Sequence, residues 1–447
     1  MRPLAPQLAA VETSTPMRVV GRVQAMTGLT IEAAGVALPT GSLCQIKDSA
    51  SRTTLAEVIG FRGEHAILMP LCPSAAIAPG DLVENLTLAP LVQCSKQLLG
   101  RVLDGFGKPV DGKGSLPLGD ARRLDSKGTP ALQRQTIRTP ISTGIRGVDA
   151  LLTCGIGQRM GIFSGPGIGK STLLSSIARN TSADVSVVAL IGERGREVQE
   201  FLEKGLGPEG LKKCVVVVST SDECPLLCVR AAKVAATVAE YFRDQGNNVL
   251  LLVDSLTRLC HAQRQIGLAA HEPPATRGYP PSAFALLPQI LERAGRTATG
   301  SITAFYSVLV EGDDPNEPVA DAVRGVADGH LWLSRTLASR GHFPAIEMIQ
   351  SISRVREDVV DEEHLKRARR VLSLLGTYAS IEDLVTVGAY VAGVNHEFDL
   401  AVQTRPKILE FLQQDSSVGF SFAQSRADLW ALADYIEHVS QQLMEKK

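Results

Sequence analysis

Between residues 18 and 94 apolar and polar positions alternate in short runs: MRVVGRVQAM, LTIEAAGVAL, SLCQIKD, TTLAEVIGF and HAILMPL. Each is broken by Gly, Pro or Asp. Alternation sends successive side chains to opposite faces of a strand, and strands at this spacing predict a small barrel or sandwich. Residues 96–150 are dense in turn formers (LDGFGKPVDGKGSLPLGD) and read as a connector. The pattern then changes to apolar runs alternating with helical segments: RMGIFSG before STLLSSIARN, VSVVALIGE before VQEFLEKGL, CVVVVSTS before PLLCVRAAKVAATVAEYFRDQG, and NVLLLVDS before LTRLCHAQRQIGLAA. Near-continuous Val, Leu and Ile between helices predict a parallel sheet covered on both faces, which SITAFYSVLVEGD and HLWLSR extend. From about Val355 onward EEHLKRARRVLSLLGTYAS, IEDLVTVGAYVAG and EFDLAVQTRPKILEFLQQ predict helices with short breaks.

Composition narrows the function classes. The chain has 447 residues, a prior of about three domains. Its net charge of −1 creates no global field toward nucleic acid or an anionic membrane. Aromatics make up 4%, and the first 105 residues hold a single one, Phe61, so the barrel lacks the stacking platforms that single-strand binding uses. Eight cysteines in apolar surroundings read as reduced, buried thiols, and the Cys224 and Cys228 pair has no further ligands for a structural zinc. No run resembles a secretory leader or a membrane span, so a cytoplasmic protein is expected.

The strongest chemical signal is GPGIGKST, formed by Gly165, Pro166, Gly167, Ile168, Gly169, Lys170, Ser171 and Thr172 between a strand and a helix. Glycines let backbone N–H groups turn toward phosphate oxygens, and the helix start adds the positive end of its dipole. Lys170 is placed to reach the outer phosphates of ATP and Ser171 to ligate Mg²⁺. The usual first glycine of this pattern is replaced by Ser164. LLLVDS runs four apolar residues into Asp254, an acid at the carboxyl end of a central strand, where it is placed to hold Mg²⁺ through water. VALIGERGREV puts Glu193 at the end of another buried strand. It reads equally as a group that orients or deprotonates water and as a surface partner of Arg194 or Arg196.

Taken together, GIRGVDALLTCGIGQRMGIFSGPGIGKS, ALIGERGREV, LLLVDSLTR, the GYPPS stretch, EGDDPNEPVAD and HFPAIEMIQSISRV resemble the type III protein-export ATPases. That family serves the flagellum and the injectisome and is similar to the rotary ATP synthase β subunit. The resemblance implies an α/β fold with a RecA-like P-loop NTPase core at 96–355, an N-terminal β-barrel at 18–95 and a C-terminal helical domain at 356–447. It matches Glu193 to the catalytic glutamate, Arg194 to the arginine beside it, and Arg258 to the one following the Mg²⁺ aspartate. Arg354 matches the arginine finger given by a neighbouring subunit, and Phe343 the aromatic that stacks on adenine. Without the family, Phe343 before Pro344 reads as a core residue.

The resemblance also implies ATP and Mg²⁺ as cofactors, a homohexameric ring, and partners among export regulator and stalk proteins. Chaperone–substrate complexes and an inner-membrane export gate, at which the protein associates peripherally, complete the set; nucleic acid is not a partner. GRVQAMTGLTIEAAGVALPTGSLCQI, SRGHFPAI and FLQQ favour the flagellar branch over the injectisome. The first 17 residues, punctuated by Pro3, Pro6 and Pro16, are short for a regulator-binding helix. The readings from other classes are an RNA translocase, which needs a basic, aromatic-bearing barrel, and a non-catalytic ring subunit, which lacks a glutamate at the position of Glu193.

Overall fold

A computed structural model describes residues 19–72, 77–310, 312, 314 and 316–445. The Pro-punctuated N-terminal stretch, and Glu311 and Asp313 of the EGDD segment, lie outside the described residues. β1 (Val20–Thr27), β2 (Thr30–Ala34), β3 (Leu43–Lys47), β4 (Thr53–Arg62), β5 (His65–Pro70) and β6 (Leu82–Thr87) form a closed barrel in the order β1-β2-β5-β4-β3-β6. Val23, Ile31, Ile46, Val58, Leu68 and Val83 fill it. Closure rests on β6, which pairs with both β1 and β3 and which the hydrophobic pattern does not reveal. Its alternation is spoiled by Asn85, polar on the face of Val83, while buried Glu84 on the other face is neutralised only by the fold, through Lys47 at 2.7 Å and Gln45 at 2.8 Å.

The connector does more than turn. Val102–Leu103 joins the edge of the central sheet, and Leu91–Cys94 pairs with Asp120–Arg123. Arg101 holds the intervening loop closed on Asp111 through Nε at 2.7 Å and Nη2 at 2.9 Å.

The core sheet contains β7 (Arg159–Ser164), β8 (Val185–Glu193), β9 (Cys214–Thr220), β10 (Asn248–Asp254), β11 (Ser301–Leu309) and β12 (Gly329–Trp332). Their order is β12-β7-β11-β10-β8-β9, all parallel. Every residue of β8 is buried, because helices cover both faces. α1 (Lys170–Asn180) lies on one face, and α2 (Pro225–Asp244), α3 (Leu256–Ala269) and α4 (Pro281–Leu291) on the other. Accordingly Val187 belongs to the core layer that also holds Val234 and Leu287, while its neighbour Val188 belongs to the opposite layer with Ile177 and Leu432. After β7 the chain crosses two strands to reach β8, which opens a crevice at the carboxyl ends of the strands.

Three long helices follow: α5 (Glu362–Thr386), α6 (His396–Leu412) and α7 (Phe422–Glu445). The expected break after Ser380 does not exist, since no residue there opposes helix; the chain turns instead at residues 387–395, where Gly388 and Gly393 have φ of 73° and 89°. Among the cysteines, Cys72 is exposed and Cys224 half-buried, so the expectation of buried thiols holds for the remaining six. Among the described residues no helix is long and apolar enough to cross a membrane.

Candidate active site

The loop of residues 165–169 leaves β7 at Ser164 and enters α1 at Lys170. Gly167 and Gly169 have φ of 77° and 90°, a region that side-chained residues rarely adopt. No side chain caps α1, so its first N–H groups are left to an incoming anion. A Cβ on Gly167 would meet nothing within 4 Å, whereas one on Gly169 would stand 3.5 Å from the Phe343 ring. Ser164, in place of the usual glycine, is buried with an unpartnered hydroxyl.

Two strand ends then converge on one ammonium. Lys170 Nζ donates to Asp254 Oδ1, which also accepts from Ser307 Oγ at 2.6 Å. The same Nζ stands 3.8 Å from Glu193 Oε1, and Arg258 Nε approaches that oxygen to 3.4 Å. Both donors to Asp254 use Oδ1, and Ser171 is exposed on the first turn of α1. Carboxylate and hydroxyl oxygens suit a hard divalent cation, so the residues present fit Mg²⁺.

Glu193 is only 7% exposed. Burial first, then a hydrogen bond with Glu197 and the charge of Asp254, push its carboxyl up to about 7, against the pull of Lys170 and Arg258. Glu197 is held low by the same bond. The alternative of a surface ion pair fails on geometry: Arg194, 71% exposed, sits 3.6 Å from Glu197, and Arg196 sits 3.0 Å from Glu200. Glu193 pairs instead with Lys170 and Arg258.

Phe343 is no core residue. It is 46% exposed and stands over a cavity of about 680 Å³ lined by Ile168, Leu173, Leu333, Pro344 and Gln414. Apolar walls with a few polar groups suit a planar base. Arg354 lies elsewhere, after the edge strand Ile352–Ser353, whose register pairs Ser353 with Gly329 at the amino end of β12. Its N–H donates to the Asp328 carbonyl at 2.9 Å, at the end of the sheet opposite the phosphate loop. One chain therefore brings Lys170, Glu193, Arg258 and Asp254 together and leaves Arg354 apart.

Glu197, Ser307 and the turn at residues 413–416 escaped sequence reasoning. Ser307 had a signal, a hydroxyl inside the apolar run ITAFYSVLV; Glu197 looks like any surface acid of a helix. The 413–416 turn reaches the cavity only through tertiary packing.

The ATP synthase alpha/beta family nucleotide-binding domain matches residues 144–353, and the type III secretion EscN ATPase C-terminal domain matches residues 360–431. A flagellum-specific ATP synthase of Bacillus subtilis is 48% identical over 425 residues, covering 94% of this chain and 97% of its own. A counterpart from Pseudomonas aeruginosa is 50% identical over 419 residues, with 93% of each chain covered. The SPI-2 type 3 secretion system ATPase of Salmonella typhimurium is 47% identical over 394 residues, covering 88% of this chain and 90% of its own. Among solved structures, the assembled ATPase EscN of enteropathogenic E. coli superposes with a TM-score of 0.87 at 43% identity, covering 92% of this chain and 100% of that one. EscN in complex with its central stalk EscO gives 0.86 at 42% identity, with the same coverage. A phosphate loop facing two buried strand-end carboxylates, and relatives alike over nearly their whole length, lead to one assignment: the chain belongs to the flagellum-specific and type III secretion ATPases of the ATP synthase alpha/beta family.

Proposed function

We propose that this chain hydrolyses ATP to drive protein export at the base of the flagellum. The observation that carries the reading is the convergence of Lys170, Asp254 and Glu193 at the mouth of the phosphate loop. Residues 165–172 cradle the phosphates, Lys170 turns from Asp254 to the outer phosphates, and Phe343 stacks on adenine. Ser171 and Asp254 would hold Mg²⁺, which would supply positive charge against the charge that develops on the phosphates. Glu193 orients water and accepts its proton while the oxygen bonds to the γ-phosphorus; the bond to the β-γ bridging oxygen breaks, and ADP leaves with its electron pair. Arg194 acts through Glu197, and Arg258 holds Glu193 in place.

Arg354 points to assembly. It lies at the wrong end of the sheet for its own loop, so it serves as a finger in an adjacent protomer's site, where such a residue contributes about 10³ to 10⁵ in rate. A homohexamer makes every interface catalytic, and the assembled form of EscN and its stalk complex favour a ring with a central stalk partner here. Chaperone–substrate complexes, an export regulator and the inner-membrane export gate are the remaining partners, at which the cytoplasmic ring docks peripherally without nucleic acid.

Complementation tests the branch. In a strain lacking this chain, the wild type restores motility and Lys170→Ala does not; a strain that stays motile without it contradicts the flagellar reading. The likeness to EscN favours a second reading, the injectisome, in which needle rather than flagellar components co-purify with the tagged chain.

A further inference from the structure

The turn that lines the base cavity with Gln413, Gln414 and Ser416 connects α6 to α7, yet a residue of the core holds it. Arg146, at the start of the short helix Arg146–Leu151, donates from Nε to the Phe411 carbonyl at 2.7 Å. Its Nη2 donates to the carbonyls of Glu410 and Gln413 at 3.0 and 2.9 Å. Carbonyls at a helix end have no partner within the helix, and a cation there also meets the negative end of its dipole. Nη1 reaches Asp428 on α7 at 3.2 Å, and the guanidinium lies 5.1 and 4.8 Å from the ring centres of Phe411 and Phe420. Bonds in so many directions need the five-donor fork of arginine.

The path continues to the cavity. The Arg146 backbone N–H donates to Gln414 Oε1 at 2.8 Å, and Gln414 Nε2 donates to the Gly144 and Val418 carbonyls at 2.8 and 2.7 Å. The Gln414 backbone N–H donates to the carbonyl of Phe343 at 2.9 Å. Arg146 thus reaches, through one glutamine, both the floor of the cavity and the backbone of the aromatic above it.

We infer that Arg146 is a positioning residue for the nucleobase: it fixes the 413–416 turn and, through Gln414, Phe343, so that the cavity is shaped before nucleotide arrives. This rests on reading that cavity as the base site. Preorganisation of this kind acts on binding of the base and leaves the phosphate end untouched.

The test measures ATPase kinetics of the full chain, with tripolyphosphate, which has no base, as a competitor at the phosphate loop. Arg146→Ala raises KM for ATP about tenfold, keeps kcat within about threefold and leaves tripolyphosphate inhibition unchanged. Arg146→Lys recovers part of the loss, and Gln414→Leu shifts KM in the same direction, which decides the matter should Arg146→Ala fail to fold. A fall in kcat at unchanged KM, or a parallel loss of tripolyphosphate inhibition, means a merely structural role and overturns the inference. Phe343→Ala separates the two readings. If it leaves KM unchanged, the base site is wrong; if it raises KM while Arg146→Ala and Gln414→Leu do not, only the positioning role falls.

Discussion

Lys170 Nζ stands 3.8 Å from the Glu193 carboxylate, so the lysine proposed to meet phosphate and the carboxylate proposed to orient water are in electrostatic contact before nucleotide enters. Replacing it therefore disturbs both. Lys170→Met lowers kcat/KM about 10²-fold or more, measured as phosphate release, by removing a preorganised cation from the developing charge. It also raises the carboxyl of Glu193 further, since Lys170 is one of the two groups pulling it down.

The pH dependence follows from the same carboxyl. A base must be ionised, and burial holds the Glu193 proton up to about 7, so kcat/KM rises with pH through that value. Glu197→Ala removes the acceptor that keeps the proton on Glu193 and moves the acid limb to lower pH. Arg258→Gln removes a stabilising cation and moves it higher. The stability sign is opposite: the folded state binds this proton more tightly than the unfolded chain, so Glu193's contribution is present at acid pH and lost as pH rises toward about 7.

Arg354 is tested by mixing subunits. Rings made only of Glu193→Ala or only of Arg354→Ala chains are inactive. Rings reassembled from equal amounts of both regain activity at about a quarter of interfaces, those pairing an intact glutamate with an intact finger. No recovery on mixing means that the finger acts within its own chain or not at all.

The core contains a structural ion pair far from this chemistry. Arg293 donates to both carboxylate oxygens of Glu240, at 2.8 and 2.7 Å, and also to Thr237 and the Leu124 carbonyl, all buried. Glu240→Ala strands the guanidinium and costs about 3–5 kcal/mol. The melting temperature falls accordingly, with KM for ATP unchanged in the protein that remains folded.

The sheet strands and the phosphate loop were legible because each is local: a continuous apolar run, or a glycine spacing between a strand and a helix. Glu193 shows where that stops. Its spacing leaves a water-orienting group and a surface ion pair equally open, and only the pairing of Arg194 with Glu197 and Arg196 with Glu200 removes the second. β6 and the 413–416 turn were illegible for one reason, since each owes its place to partners distant in sequence, Lys47 in the first case and Arg146 in the second. Read without the resemblance, Phe343 before proline signals a core residue, while the fold leaves it at a cavity mouth.

The most direct test of the account is Glu193→Gln, which keeps the shape of the side chain and removes the base. Hydrolysis and nucleotide binding are measured on the same assembled protein, the second with a fluorescent ATP analogue. The account predicts that binding stays within about threefold of wild type while turnover falls by about 10²-fold or more. Turnover at the wild-type rate contradicts it.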